Sequence, residues 1–392
     1  MKQQISKRLC APLVHDALEG LCNGTLEARE AAGRLCVSRS RLYQLRGDYL
    51  RVRAEGRLAG WMPGVSGGDR APGLPREVEE FLREALRVGY SYAFAASEAG
   101  RLFGVEVSRS LVRRWARGEG LWCRVPARTP AHTRRWHRGS IGELWQLDAS
   151  LHRWFGADGP LWPLLDMIDD ASRLQVGVRL CRSEDLAAYI DFLRRAFQAH
   201  GLPLALYVDN AAVFAPRKDG SPSALGLRLA LCGVSLIYAN SPQAKGKVER
   251  VHQVWQDRLV PHFRLMGYTP QSDLAEINSA IDSLARHRNS RESHREIGST
   301  PLAAWRRAEA ENRSKLRPVP KDGWWPHIWS LWHNVTASTR GTIFHNGLRF
   351  PTQRLRNGEK AILCEHFSGH YSVIKGLPGT SRHPDILFTN LP

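Results

Sequence analysis

Residues 142–152 read GELWQLDASLH, and this stretch decides the fold that the sequence predicts. Apolar residues flank one acidic side chain, Asp148, over the length of a single strand. Two more apolar runs of strand length follow after turn signals, residues 161–168 (LWPLLDMI) and 174–180 (LQVGVRL). Because consecutive strands joined by short turns usually pair with each other, the three runs predict an antiparallel meander.

Helices and strands alternate after the meander. Ser183-Glu184-Asp185 can cap a helix whose apolar residues recur at helical spacing. The remaining predicted elements are a buried strand at 204–208, a helix at 224–231, a short strand at 235–239 and a long helix at 243–266. The order βββαβαβα is that of the RNase H-like fold. We therefore predict an α/β catalytic core with a mixed five-stranded sheet at 142–316, including a helical extension with Pro301 at a helix start.

Three acidic residues fall where such a fold would bring them together. Asp148 lies at the centre of the first strand, Asp209 directly follows the fourth, and Glu249 lies about two turns into the long helix. The first and fourth strands are neighbours in this topology, so the two aspartates meet at the sheet edge and the helix brings Glu249 toward them. Clustered carboxylates raise one another's pKa unless cations neutralise them. Oxygen ligands suit Mg²⁺, and two such ions can serve an in-line phosphoryl displacement.

Other acids have simpler interpretations. Asp166, Asp169 and Asp170 fall in the second strand and the turn after it, where a carboxylate usually caps backbone amides. The same turn or cap role is expected of Asp158, Asp185 and Asp219. His152 is interpreted as structural, with proton donation or DNA contact as the alternative.

Three segments carry a resemblance to a known family. GELWQLDAS (142–150), YVDNA (207–211) and NSPQAKGKVERVHQ (240–253) resemble the signatures of the integrase core of DDE transposases and retroviral integrases. The likeness is strongest to bacterial insertion-sequence transposases of the ISNCY-like kind, in which a tryptophan and a phenylalanine follow the first aspartate, here Trp154 and Phe155. The resemblance implies that Asp148, Asp209 and Glu249 are both the catalytic residues and the ligands of two Mg²⁺ (or Mn²⁺) ions.

The resemblance also implies an activity. A DNA transposase of this kind binds the terminal inverted repeats of its element, cleaves to leave 3′-hydroxyls and joins them to target DNA, and pairing two ends requires at least a homodimer. Two alternatives remain at this point: an RNase H-like nuclease that does not join DNA, and a non-catalytic DNA-binding regulator.

The segment at 26–51 predicts two helices separated by a break at Val37-Ser38, with Ser38 as a cap. We interpret residues 1–55 as a helix-turn-helix DNA-binding module; an ordinary αα-hairpin is the alternative. A similar unit at 76–122 has Ser108 capping an arginine-rich helix, and a dimerisation bundle would look alike. The residues predicted to contact DNA, here and in the third motif, are Arg39, Arg41, Gln44, Arg109, Arg113, Arg114, Lys245, Lys247, Arg250, Gln253 and Gln256. For the two glutamines, ordinary solvent exposure is the alternative.

Composition agrees with a nucleic-acid partner. The 392 residues carry a formal net charge of +18, which favours phosphate contacts. Residues 123–141 are predicted to form an arginine-rich linker. It either contacts the phosphates of a bound DNA or is a solvated connection without a binding role. The seven cysteines are scattered without CxxC spacing and no compact His/Cys cluster is present, so no structural zinc is expected. We expect a cytoplasmic, nucleoid-associated protein without a membrane span or signal peptide.

The C-terminal region has the sequence pattern of short β-strands rather than of alternating strands and helices. Short alternating strands at 342–350, 361–367 and 370–377 are separated by turn signals such as Asn346-Gly347. We predict a small SH3-like β-barrel at 330–392.

Overall fold

The computed structural model describes residues 5, 9–59, 61–63, 73–121, 138–209, 213–239, 246–321, 323–352, 354–377 and 385–391, with only the backbone of 246–250. The chain divides into two compact units, Met1–Pro75 and Arg76–Pro392. No helix among these residues is both long enough and apolar enough to cross a membrane.

The first unit is a small bundle of three helices, α1 (Ala11–Asn23), α2 (Ala28–Arg34) and α3 (Arg39–Ala54). Leu18, Leu35, Leu42 and Tyr49 are fully or almost fully buried in its core. The hydroxyl of Ser38 accepts a hydrogen bond from the backbone N–H of Arg41 at 3.3 Å, so Ser38 caps α3 as its sequence position predicts.

The second unit begins with three more helices, α4 (Arg76–Arg87), α5 (Tyr92–Phe103) and α6 (Arg109–Gly118). The hydroxyls of Ser91 and Ser108 cap α5 and α6. The Tyr90 hydroxyl and His262 Nδ1 lie 2.8 Å apart, which joins this helical module to the long helix of the α/β core.

The core contains the predicted mixed five-stranded sheet. Its strands are β1 (Trp145–His152), β2 (Trp162–Asp169), β3 (Gln175–Leu180), β4 (Ala205–Val208) and β5 (Ser235–Tyr238), in the order β3-β2-β1-β4-β5. The first three strands pair antiparallel, and β4 pairs parallel with both β1 and β5. The adjacency of the first and fourth strands is therefore confirmed.

Helices cover both faces of this sheet. The side chains of alternate residues, including Trp145 and Leu147, join an apolar core with α7 (Leu186–His200) and α8 (Ala224–Leu231). The opposite face meets α9 (Gly246–Met266) and α10 (Leu274–Arg291). One further helix, α11 (Pro301–Ala310), starts at the predicted Pro301, with the Thr300 hydroxyl as its cap.

The C-terminal region begins with one short helix, α12 (Trp325–Ile328). It then forms β6 (Leu331–Thr336), β7 (Thr342–His345), β8 (Leu348–Pro351), β9 (Lys360–Glu365), β10 (Tyr371–Lys375) and β11 (Asp385–Thr389). Four of these strands form one sheet, β11-β10-β9-β6, and β7 and β8 form a separate hairpin. The predicted SH3-like barrel is not confirmed, because the sheet of the described residues does not close.

Candidate active site

Asp148 lies on β1, and Asp209 directly follows the neighbouring strand β4. In the parallel β1–β4 ladder, Trp145 is paired with Leu206 and Gln146 with Tyr207. If the same register continued for two residues beyond these pairs, Asp148 would lie level with Asp209, and adjacent strands are about 4.8 Å apart. The pairing of β1 with β4 thus puts on adjacent chain segments two residues that are 61 positions apart in the sequence.

One face of α9 lies against Asp148. The Nδ1 atom of His252 is 3.7 Å from a carboxylate oxygen of Asp148, and both side chains are largely buried. Glu249 precedes His252 by three positions, which is close to one turn of the same helix. The side chain of Glu249 lies outside the described residues, as do those of Lys247 and Arg250; Lys245 lies outside them entirely.

The two predicted glutamines of α9 differ in their surroundings. Gln253 is exposed. Gln256 is half-buried and donates a hydrogen bond to the Ser150 hydroxyl on β1 at 3.1 Å. Because Ser150 is two positions after Asp148 on the same strand, the Gln256 contact helps to hold α9 over the acidic face of β1.

A third acid, Asp166, lies directly opposite Asp148. The β1–β2 register pairs the two residues, and Asp166 is completely buried. Burial raises the pKa of Asp166 to about 7; the charge of Asp148 adds to the shift, whereas Gln175, Arg288 and Trp255 oppose it. The Asp166 Oδ1 atom accepts a hydrogen bond from the Gln175 side chain. The predicted capping role is wrong for Asp166, because it lies inside β2 and contacts side chains rather than turn amides.

Asp169 and Asp170 do cap backbone amides, as predicted. Asp169 accepts hydrogen bonds from the Gly142 and Ser172 N–H groups, both at 2.8 Å, and from the Ser172 hydroxyl at 2.7 Å. Asp170 accepts from the Arg138 N–H at 2.6 Å and from the Gln146 side chain at 2.6 Å. These two carboxylates fasten the segment before β1 to the turn after β2.

The remaining predicted acids fit their simple roles. Asp185 caps α7 by accepting from the Ala188 N–H at 2.9 Å. Asp219 accepts from the N–H and hydroxyl of Ser221 in a turn, which lowers its pKa. Asp158 is exposed. His152 stacks edge-on against Trp154 with ring centroids 4.9 Å apart, and burial lowers its pKa.

The pKa of the buried Tyr189 is influenced by the charges of both aspartates. The Tyr189 hydroxyl on α7 donates to Glu184 at 2.8 Å. Its pKa is raised, first by burial and then by the negative charges of Glu184, Asp209 and Asp148. The fields of both aspartates therefore reach one point in the core.

The predicted DNA contacts outside the core lie on two helices. Arg39, Arg41 and Gln44 are exposed at the start of α3, where the Arg41 guanidinium donates to Gln44 at 3.0 Å. In α6, Arg109, Arg113 and Arg114 are exposed as well. The two sets belong to separate units of the chain.

Sequence reasoning missed two residues of this site. His252 could have been found, because it is three positions after Glu249 and shares its helix face. Asp166 could have been found from strand pairing, since equal spacing from the β1–β2 turn sets it opposite Asp148. Asp166 is hard to recognise from the pattern of β2, because every residue of that strand is buried and no buried–exposed alternation marks its face.

Two curated relatives resemble part of this chain. A protein of Sinorhizobium fredii (strain NBRC 101917 / NGR234), named as a candidate transposase, y4bF, is 39% identical over 184 residues, 46% of this chain and 40% of the relative. The transposase for insertion sequence IS1202 of Streptococcus pneumoniae is 36% identical over 135 residues, 33% of this chain and 29% of the relative. The resemblance to insertion-sequence transposases is thereby confirmed, although the matched region spans less than half of either relative.

Solved structures give weaker likenesses. The integrase catalytic core domain of HTLV-2 in complex with magnesium matches 43% of this chain and 99% of its own, with a TM-score of 0.34 and 17% identity. An intasome of simian T-cell lymphotropic virus in complex with a regulatory subunit of PP2A, B56 gamma, matches 75% of this chain and 97% of its own, with a TM-score of 0.37 and 12% identity. No protein-family model matches the chain.

Proposed function

We propose that this protein is a DNA transposase that cleaves and joins DNA ends with Asp148, Asp209 and Glu249. The observation that carries the proposal is the pairing of β1 with β4, whose register, if continued, would set the two aspartates level, with α9 packed against the first. The two named relatives support the same activity for the region they match.

The donors of this site suit a hard divalent cation. Asp148 and Asp209 offer carboxylate oxygens, which Mg²⁺ and Mn²⁺ accept. Two such carboxylates on adjacent strands repel each other unless a cation lies between them. Bound ions would supply the charge that activates the attacking oxygen and stabilises the leaving oxygen of a phosphodiester. The chain itself contributes the rigid sheet that fixes the spacing of the ligands and the helix that carries Glu249.

The exposed arginines and glutamines are proposed to bind DNA. Arg39, Arg41 and Gln44 lie at the start of a capped helix that follows a turn, the position from which recognition helices reach base edges. The α6 arginines and Gln253 are exposed and available for phosphates. Terminal inverted repeats and target DNA are the proposed substrates, and a homodimer or larger assembly would pair two ends.

The catalytic assignment is tested by substitution. Asp148→Asn, Asp209→Asn and Glu249→Gln should each lower strand cleavage and joining by several orders of magnitude while DNA binding is retained. Asp158→Asn, an exposed carboxylate of the same domain, is the matched control and should keep full activity. Cleavage that persists in any of the three variants would remove that residue from the site.

Joining distinguishes a transposase from a nuclease. Duplexes made from the DNA that flanks the gene, ending in a 3′-hydroxyl, are incubated with a target plasmid and Mg²⁺. We expect joined products at least for the duplex that carries the element end. Hydrolysis without any joined product would favour the RNase H-like nuclease, and specific binding without hydrolysis would favour the regulator.

A further inference from the structure

The C-terminal hairpin and the four-stranded sheet pack face to face through a small apolar core. Ile343 and Phe350 of the hairpin are buried against Leu363 and Val373 of the sheet. His345 is two positions after Ile343, and His333 is paired with Leu363 in the β6–β9 ladder. Because residues two apart on a strand, and directly paired residues, share a face, both histidines continue the apolar core at one end.

Three potential metal ligands converge at this end of the core. A ligand atom from each of His333, His345 and Glu365 lies within 4.8 Å of the other two, and all three residues are half-buried. The His333 Nε2 atom and a Glu365 carboxylate oxygen are 2.9 Å apart. The rings of His333 and His345 have centroids 4.4 Å apart. The Nε2 atom of His345 is buried and has no hydrogen-bond partner among the residues that the structure describes.

The backbone holds these three side chains on stiff elements. His333 and Glu365 lie on the two strands of a six-pair antiparallel ladder. His345 ends β7 and is paired with Leu348 across a two-residue turn. Asn346 and Gly347 in that turn both have positive φ, 47° and 77°, as a type I′ hairpin requires. The ligand donors are therefore fixed by regular pairing rather than by a loose loop.

We propose that His333, His345 and Glu365 form a Zn²⁺ site that joins the hairpin to the four-stranded sheet. Two imidazoles and one carboxylate are a ligand set that zinc accepts, with water in the fourth position. Tetrahedral ligands at zinc distances lie about 3.4 Å apart, so the observed separations need only small side-chain adjustments. The buried His345 nitrogen would gain the partner that the protein alone does not give it.

Such a site has a clear structural purpose. The hairpin shares no strand pairing with the four-stranded sheet among the described residues, and the core between them is small. Small β-structures with little core are commonly reinforced by a structural metal. The ligand spacings of 12 and 20 residues across three strands lack the close pairs of familiar zinc motifs, so the expectation of no structural zinc, based on such pairs, does not apply here.

The test is zinc titration of the full chain. EDTA-treated protein is dialysed into excess Mg²⁺, so that Mg²⁺ competes for the carboxylate site, and Zn²⁺ is then added in competition with a chromophoric chelator. We expect one tightly bound zinc per chain. His345→Gln and Glu365→Gln should each weaken its binding by at least about tenfold, since even supporting contacts around a metal are worth this much. Zinc should also raise the thermal midpoint of the wild type more than that of either variant.

Two controls make the outcome decisive. His370→Gln changes a histidine in the turn between β9 and β10 and should leave zinc binding unchanged, and so should Asp148→Asn. Far-UV circular dichroism checks that each variant is folded. Equal zinc affinity in the wild type and in both folded ligand variants would overturn the proposal. Zinc binding that disappears in Asp148→Asn would assign the ion to the acidic site and overturn it as well.

Discussion

Asp169 connects three parts of the core through one carboxylate. It accepts hydrogen bonds from Gly142, which precedes β1, and from both the N–H and the hydroxyl of Ser172, in the turn after β2. The side chain is fully buried, and desolvation raises its pKa despite these donors. Its hydrogen bonds thus offset a real burial cost while they fix the position of the strand that carries Asp148.

Replacing Asp169 with alanine should therefore destabilise the second unit. The change leaves two buried N–H groups without a partner, and each costs about 1–3 kcal/mol, so the expected loss is roughly 2–6 kcal/mol. Urea unfolding followed by tryptophan fluorescence measures the effect. Asp158→Ala, at an exposed turn, should change stability by less than about 0.5 kcal/mol. An Asp169→Ala midpoint equal to that of the wild type would show that the caps are dispensable.

At the residue scale, part of the site could be predicted from the sequence. Asp148 and Asp209 were predictable because topology alone makes their strands neighbours. To predict His252, one must know which face of α9 lies against β1. To predict Asp166, one must know the exact register between β1 and β2. An acid near a turn is usually expected to cap backbone amides. The sequence pattern does not reveal that β2 is buried along its whole length and that Asp166 therefore contacts side chains.

Among the helices, the module formed by α4, α5 and α6 packs on α9 through a buried histidine. His262 of α9 lies 2.8 Å from the Tyr90 hydroxyl, and Arg258, one turn earlier, lies over the Phe94 ring at 5.2 Å. Burial lowers the pKa of His262; the nearby Glu98 acts to raise it and Arg101 to lower it. The neutral imidazole is consequently the form that the folded protein prefers.

This preference predicts a loss of stability in acid. Because the folded-state pKa of His262 lies below its ordinary value of 6.5, the unfolded chain takes up a proton first as the pH falls. The stability that the neutral His262 contributes to the folded state is fully present above pH 6.5, and it is lost progressively as the pH falls below 6.5. We expect His262→Gln to be less sensitive than the wild type when unfolding is compared at about pH 7.5 and about pH 5. Parallel losses in the two proteins would contradict this role for His262.

Arg228 joins α8 to the C-terminal region. Its guanidinium donates to the carbonyls of Ala224, Ile328 and Ser330 at 2.8–3.0 Å and lies 3.9 Å from the centre of the Trp332 ring. Burial lowers its pKa to about 10, so it remains charged at neutral pH. Two of these carbonyls belong to the segment that leads into β6, and hence Arg228 positions the start of the four-stranded sheet.

Substituting Arg228 should destabilise this connection. Arg228→Met keeps the apolar stem but leaves buried carbonyls unpaired, and we expect a loss of about 2–4 kcal/mol. Arg195→Met, a partly exposed arginine that pairs with Asp191, is the control and should cost less than about 1 kcal/mol. Denaturant midpoints report both values. If the two variants had similar midpoints, the carbonyl contacts of Arg228 would carry no special weight.

At the scale of strands and helices, local sequence signals predicted individual elements better than they predicted which strands pair with each other. The Asn346-Gly347 turn and the alternating strands identified β7–β8 correctly, because a type I′ turn is a local property. Closure into a barrel depends on long-range pairing, which periodicity does not report. The sheet order β11-β10-β9-β6 leaves the hairpin separate, and the predicted barrel is therefore replaced by a sheet and a hairpin.

Over the whole molecule, a strongly positive net charge accompanies a cluster of acidic side chains. The net charge of +18 coexists with a core whose proposed active site is a cluster of carboxylates. Such a site repels DNA phosphates unless cations fill it, so basic side chains outside the carboxylate cluster are expected to contribute to DNA binding. The exposed arginines of α6 are one such set, and they form no salt bridge with any residue that the structure describes.

The salt dependence of DNA binding tests this assignment. Each phosphate contact contributes about 0.9 to the slope of log K against log salt concentration. The double variant Arg113→Ala/Arg114→Ala should reduce the slope by roughly 1–2 and weaken binding to all duplexes alike, as measured by fluorescence anisotropy with a mixed-sequence duplex. Arg76→Ala is the matched control, because Arg76 is highly exposed but already pairs with Glu80 at 2.9 Å. An unchanged slope in the double variant would move the phosphate contacts away from α6, whereas equal effects in the double variant and the control would show that only total charge matters.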